Sequence, residues 1–186
     1  MRAIPIAVTA LVAALTLTAC GDGGDGDSGG DGGTKATASA ADASTSCQVG
    51  QVGMAVESAS AAPAAGDTGI VPVTITNTGA QCTLEGFPGI VLGAGAASAT
   101  VAGDDAAQPE KLTLAKGDTA TFTLTYVRGE AADAASLDAK TVKVSLPGDA
   151  ATQDFPWSYG PVAGKAGKTG ADDPDASVSP FQHAGD

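Results

Sequence analysis

The chain has 186 residues, enough for one domain with attachments. Aromatic residues make up only 4%, and 9 basic residues stand against 21 acidic ones, a net charge of −12. Such a surface repels phosphate backbones and anionic headgroups, which argues against nucleic acid as a partner; the acidic excess reads first as a solvated surface.

Met1-Arg2 is a short basic start, followed from Ala3 to Thr18 by an apolar run without charge. That is the pattern of a signal peptide over residues 1–19. The run ends in Leu17-Thr18-Ala19-Cys20, which resembles the lipobox of bacterial lipoproteins. Small side chains admit the peptidase, and the Cys20 thiol accepts the diacylglycerol. Each buried methylene of the acyl chains then adds about 0.8 kcal/mol of membrane affinity. Loss of Arg2 with the leader leaves 8 basic and 21 acidic residues, a net −13. The competing reading is an uncleaved signal-anchor helix, because the apolar run approaches spanning length.

Residues 20–46 read as the lipidated Cys20 and a disordered linker. Gly21 to Gly33 is GDGGDGDSGGDGG, which has nothing to bury, and Ala, Ser and Thr dominate from there to Ser46. Such a tether reaches roughly 5–6 Å times the square root of its length. Asp25, Asp27 and Gly29 look like the opening of a calcium loop, but the bidentate acid that the loop requires falls on Ala36, so the loop fails.

With Cys20 carrying lipid, Cys47 and Cys82 remain as an even pair in an exported chain, and a disulfide is the expected outcome. The alternative, a metal or redox pair, lacks both a CxxC spacing and a second soft ligand, since the one histidine is His183. No cofactor is implied.

From Cys47 onward the apolar period is two. Val52, Met54 and Val56 alternate with small or polar residues, and so do Val71, Val73 and Ile75. Asn77-Thr78-Gly79 is a turn signal. Leu84 and the stretch Phe87 to Leu92, bent at Gly86, Pro88 and Gly89, come next, and then Leu112 and Leu114. Thr119 to Val127 is the clearest strand, with Ala120, Phe122, Leu124 and Tyr126 on one face and threonines on the other. Ala131 to Ala139 is the one stretch with helical propensity, read as a short helical turn or a loop. Val142, Val144 and Leu146 form a further strand, ended by Pro147-Gly148. Phe155, Trp157 and Tyr159 alternate again. Short strands split by Gly, Pro and Asp turns predict an antiparallel β-sandwich over residues 47–183, with 184–186 as a tail.

Asn77 to Ile90 reads NTGAQCTLEGFPGI, with Cys47 upstream and Trp157-Ser158-Tyr159-Gly160-Pro161-Val162 downstream. This resembles a family of secreted actinobacterial proteins and lipoproteins, domain of unknown function 4232. Asp173-Pro174 and Val178-Ser179-Pro180-Phe181 resemble its closing segment. The resemblance spans about Cys47 to His183. It implies an immunoglobulin-like sandwich pinned by Cys47–Cys82 and an envelope setting, and it implies no activity. Some members carry a further cysteine pair in the second half, absent here. Gly86 and Gly89 are expected to permit a bulge or a positive φ, and Pro88 to mark a sheet edge.

No nucleophile–base pattern is present, so no catalytic residue is expected and the chain is read as a non-enzyme. His183 sits near the C-terminus and reads as exposed. Asp104-Asp105 and Asp172-Asp173 are adjacent acids, which point opposite ways on an extended chain and make poor carboxylate pairs. Phe155, Trp157 and Tyr159 would offer a sugar- or protein-binding surface if exposed, but the period-two pattern places Trp157 in the core. The expected role is a lipid-anchored module on the extracytoplasmic face of the cell membrane. It would engage an envelope protein, a peptide or a cell-wall glycan. The alternative is a lipoprotein that carries a small molecule or metal.

Overall fold

The structure, a computed structural model, describes residues 45–166 and 171–185. The leader, Cys20 and nearly all of the expected linker therefore lie outside the described residues. In chain order the strands are β1 (Thr45–Ser46), β2 (Val52–Val56), β3 (Thr68–Asn77), β4 (Cys82–Leu84), β5 (Gly89–Ala94), β6 (Ala97–Gly103) and β7 (Leu112–Leu114). They continue with β8 (Thr119–Val127), β9 (Ser136–Leu137), β10 (Thr141–Ser145), β11 (Thr152–Pro156), β12 (Val162–Ala163), β13 (Ala176–Val178) and β14 (Gln182–His183). A 3-10 turn at Val49–Gln51 is the one helical element among the described residues.

β8 shows how the sequence makes its element. Threonine and aromatic side chains suit a pleated, half-buried surface. The period of two sends Ala120, Phe122, Leu124 and Tyr126 inward, where each is at most 2% exposed. β3 lies antiparallel beside β8 from Thr68↔Val127 to Thr76↔Thr119 and contributes Val71, Val73 and Ile75 to the same interior. Pro72 sits inside β3 without breaking it. Its carbonyl accepts the Glu57 N–H at 2.9 Å, but it has no N–H to return, and β2 pairing stops one residue earlier, at Val56↔Val73.

The main sheet runs β11-β10-β5-β6-β13-β8-β3-β2, with β14 also on β8. The inward residues of both halves build one core, so the architecture is a β-sandwich whose layers are continuous through β6 and β13. It resembles a barrel left open between β11 and β2. A second sheet, β1-β4-β7, adds Leu84, Leu112 and Leu114 to that core.

Several details differ from the sequence expectation. The sandwich is not wholly antiparallel, because β1–β4 and β13–β6 run parallel. Parallel neighbours need a long connection, and β13 follows β6 only after the whole β7–β12 region. Ala131 to Ala139 forms turns and then β9, with Ala132 at φ 62°. An isolated helix that short is unstable, and Leu137 and Ala139 are instead buried at period two. Pro88 precedes β5, which is paired on both sides by β10 and β6, so it marks a strand start rather than an edge. Gly86 has φ 94°, whereas Gly89 is extended and needed for close approach, since a Cβ there would collide with Ser145 Oγ.

Cys47 and Cys82 are joined in a disulfide, with Cα atoms 4.9 Å apart and both residues at most 1% exposed. The link closes a sequence separation of 35. In the chain-entropy account a loop of that length is worth about 3.5–4 kcal/mol.

Candidate functional site

The aromatic run ends β11 and then leaves it. The Trp157 N–H still donates to Lys140 O at 2.8 Å, and beyond it the chain turns through Gly160 at φ 90°. Only Phe155 of the three aromatics lies within β11, so the expected single strand face over 155–159 does not form. The indole Nε1–H donates to Gly160 O at 2.7 Å and closes that turn. Trp157 is 5% exposed and meets Tyr126 and Tyr159 edge to face, with ring centroids 5.0 and 4.9 Å away. Phe155 and Tyr159 are half-buried against the core. No broad indole face is left to stack on a sugar.

The Tyr126 hydroxyl donates to Tyr159 O at 3.0 Å and accepts the Ala62 N–H at 3.2 Å. Arg128 Nη1 donates to Ala62 O and Pro63 O at 2.8 and 3.0 Å. Tyr126 and Arg128 therefore tie the segment before β3 to β8, and Tyr126 also ties the turn after β11. Neither role has a local sequence signal, because the partner atoms are backbone groups far along the chain.

Asn77 is the other polar centre, and it is fully buried. Its amide nitrogen donates to Ala80 O at 2.8 Å and Leu114 O at 2.9 Å, and its Oδ1 accepts the Gly79 N–H at 2.9 Å. Its own N–H donates to Asp118 O, and its carbonyl accepts the Gly117 N–H. The Asn-Thr-Gly turn signal is thus a three-way junction of β3, the turn before β4, and β7.

The charged candidates do not converge. His183 is exposed on β14 and lines an open cleft of about 360 Å³ with Gln108, Glu110 and Gln182 over Phe181. Asp104 and Asp105 line a second cleft, of about 400 Å³, with Lys165 and Asp175. Asp104 Oδ1 accepts the Ala106 N–H of its own turn, and Asp173 lies 3.4 Å from Lys165 Nζ in a partly exposed pair. No group of acids, histidines and cysteines able to hold a metal ion occurs among the described residues. Nor is any helix among them long and apolar enough to cross a membrane.

Asp149 has a clear electrostatic role. It accepts the Ala151 N–H through Oδ1 at 3.0 Å and the Val49 N–H through Oδ2 at 2.7 Å. These bonds, Ala151 first and then Val49, hold its carboxyl below the ordinary value of 3.8 against a smaller opposing effect of burial. The turn leading into β11 is thereby pinned to the 3-10 turn leading into β2.

No curated protein and no solved structure matches the chain. A family model described as domain of unknown function (DUF4232) matches residues 47–182. That stretch opens at the disulfide, contains the Asn77 junction and the Trp157 turn, and closes on β14. The chain therefore belongs to the DUF4232 family.

Proposed function

We propose that the protein is a cell-envelope lipoprotein, cleaved before Cys20 and acylated there. The tether behind Cys20, which gives way to β1 at Thr45, holds its family domain outside the membrane. The observation that carries this reading is the coincidence of Leu17-Thr18-Ala19-Cys20 with an apolar run before it and a Gly/Asp stretch behind it. The buried Cys47–Cys82 disulfide supports export, because such bridges persist in oxidising compartments.

The domain serves as a non-catalytic module for a protein, peptide or glycan partner. Its buried polar groups support this. Asn77, Tyr126 and Trp157 hydrogen-bond to the protein's own backbone, and the Asp104 carboxylate is engaged by the Ala106 N–H of its own turn.

Replacing Cys20 by Ser in the full chain tests the anchor. The parent is expected in the membrane fraction with label from an alkyne-bearing fatty acid. The Cys20→Ser chain is expected unlabelled, and either soluble or unprocessed. A variant that is cleaved and still held in the membrane would refute the reading.

A further inference from the structure

Among the described residues the main sheet ends on two unpaired edges, β11 and β2, and they are guarded differently. At β11 the Trp157 N–H to Lys140 O bond sets the alternation, so Phe155 and Gln153 turn their backbone groups toward β10. Thr152, Asp154 and Pro156 turn theirs outward. Pro156 has no N–H to offer there, and Asp154 is held by Lys143 Nζ at 2.6 Å. Proline and paired charge are the usual means of blocking an edge.

β2 carries no such guard. Gln51 O accepts the Thr78 N–H and the Glu57 N–H donates to Pro72 O, so the odd-numbered residues face β3. Val52, Met54 and Val56 turn their backbone groups outward. The Val52 N–H is already used by Val49 O. The N–H and C=O of Met54, those of Val56, and the C=O of Val52 have no hydrogen-bond partner among the described residues. The exposed side chains between them are only Gly53 and Ala55.

We propose that β2 is a self-pairing edge and that its occupant is a second copy of this chain, β2 against β2, antiparallel about a two-fold axis at Met54. In that register Met54 faces Met54, and Val52 faces Val56. The Met54 N–H and C=O satisfy each other across the axis, and each Val56 N–H meets the free C=O of Val52. The Val56 C=O lies opposite the Val52 N–H, which is already engaged by Val49 O, so this register matches every free N–H and leaves only that carbonyl without a donor. Copies of a chain with net charge −12 repel one another. At this edge Glu57 falls opposite neutral Gln51, and the Asp149 carboxylate at the Val49 end is taken up by the Val49 and Ala151 N–H groups. A cationic partner would find no row of carboxylates here. A five-residue ladder is small beside the roughly 1,200–2,000 Å² of a stable interface. Pairing is therefore weak in dilute solution and favoured where chains are held together on a surface.

The register is testable in intact cells that make the full chain. Gly53 of one copy lies opposite Ala55 of the other, at about 4.5 Å between Cα atoms, which a disulfide spans; identical positions lie about 8 Å apart, which it does not. Both sites are exposed, and a Cβ at Gly53 meets nothing within 4 Å. Co-expression of Gly53→Cys with Ala55→Cys is expected to give a reducible dimer carrying a 53–55 linked peptide, with each variant alone at most a tenth as cross-linked. Gln51→Cys with Glu57→Cys reads the same register independently. Membrane fractionation of the same cells reports the anchor separately. Only monomer in both mixtures, with the Cys47–Cys82 bridge intact, overturns the proposal. So does equal dimer from either variant alone.

Discussion

Asn77→Asp keeps the size of the side chain and removes the two N–H donors that serve Ala80 O and Leu114 O. Each hydrogen bond is worth about 1 kcal/mol net, and a buried acceptor left without a donor costs a further ~1–3 kcal/mol. Ala80 O and Leu114 O would face a carboxylate instead, in a fully buried site. The expected loss is about 3–5 kcal/mol at neutral pH, a large share of the 5–15 kcal/mol typical of a domain. The loss also depends on pH. Burial and two facing carbonyls raise the pKa of the introduced acid above its unfolded value near 3.9. The folded state then binds more protons over the interval between the two values, so stability falls as pH rises through it. Asn77→Ala lacks that titration and serves as the control. Urea unfolding followed by Trp157 emission at about pH 3.5 and pH 7 measures both. The reasoning fails if Asn77→Asp unfolds within 1 kcal/mol of the parent at pH 7, or if its deficit relative to Asn77→Ala is the same at both pH values.

Trp157→Ala removes a side chain 5% exposed that packs on Tyr126 and Tyr159, and it should destabilise the domain by about 3–5 kcal/mol. Native emission should be blue-shifted and poorly quenched by acrylamide, whereas freely quenched emission would place the indole in water. Because the Asp149 pKa is depressed, its stabilising bonds are present above the ordinary carboxylate range and are lost as pH falls below 3.8. Asp149→Asn should therefore lower the melting temperature at pH 6 and narrow its gap to the parent by about pH 2.5; a constant gap across that range would show that the carboxylate charge is irrelevant.

The strands legible in the sequence were those whose inward residues are large. Val71, Val73 and Ile75, or Phe122, Leu124 and Tyr126, stand out against threonine neighbours, and each is buried as its period implies. β6 was not legible, because its inward residues are Ala99 and Val101 and its outward ones Ser98 and Thr100, a contrast too small to mark a period. β9, β12 and β14 are two-residue pairings set by tertiary context. The Trp157 alternation was read as one strand because the turn that interrupts it is closed by the indole itself, an interaction with no local signature. Asp149 followed an evident Pro-Gly turn, yet its partner Val49 is 100 residues away and could not have been inferred.

Four of the motif residues that carry the family resemblance share one physical property. Cys47 and Cys82 are spent on each other, Asn77 on three backbone groups, and Trp157 on Gly160 and two rings. Each is at most 5% exposed. A side chain whose polar atoms are engaged and whose surface is covered has nothing left to offer a partner without local unfolding. These residues therefore specify how the sandwich closes and not what it meets. The interaction role proposed above would fall where backbone or side-chain groups remain open. Among the described residues such places include the clefts beside Asp104, His183 and Arg128 and the unguarded edge of β2. The edge differs from the clefts in kind. A cleft selects by side chains, which neighbouring loops can vary freely, whereas an edge selects by backbone geometry, which survives any substitution that keeps Gly53 and Ala55 small and uncharged. An edge lysine or proline would therefore change association without touching the core, and that separates an assembly role for β2 from a purely structural one.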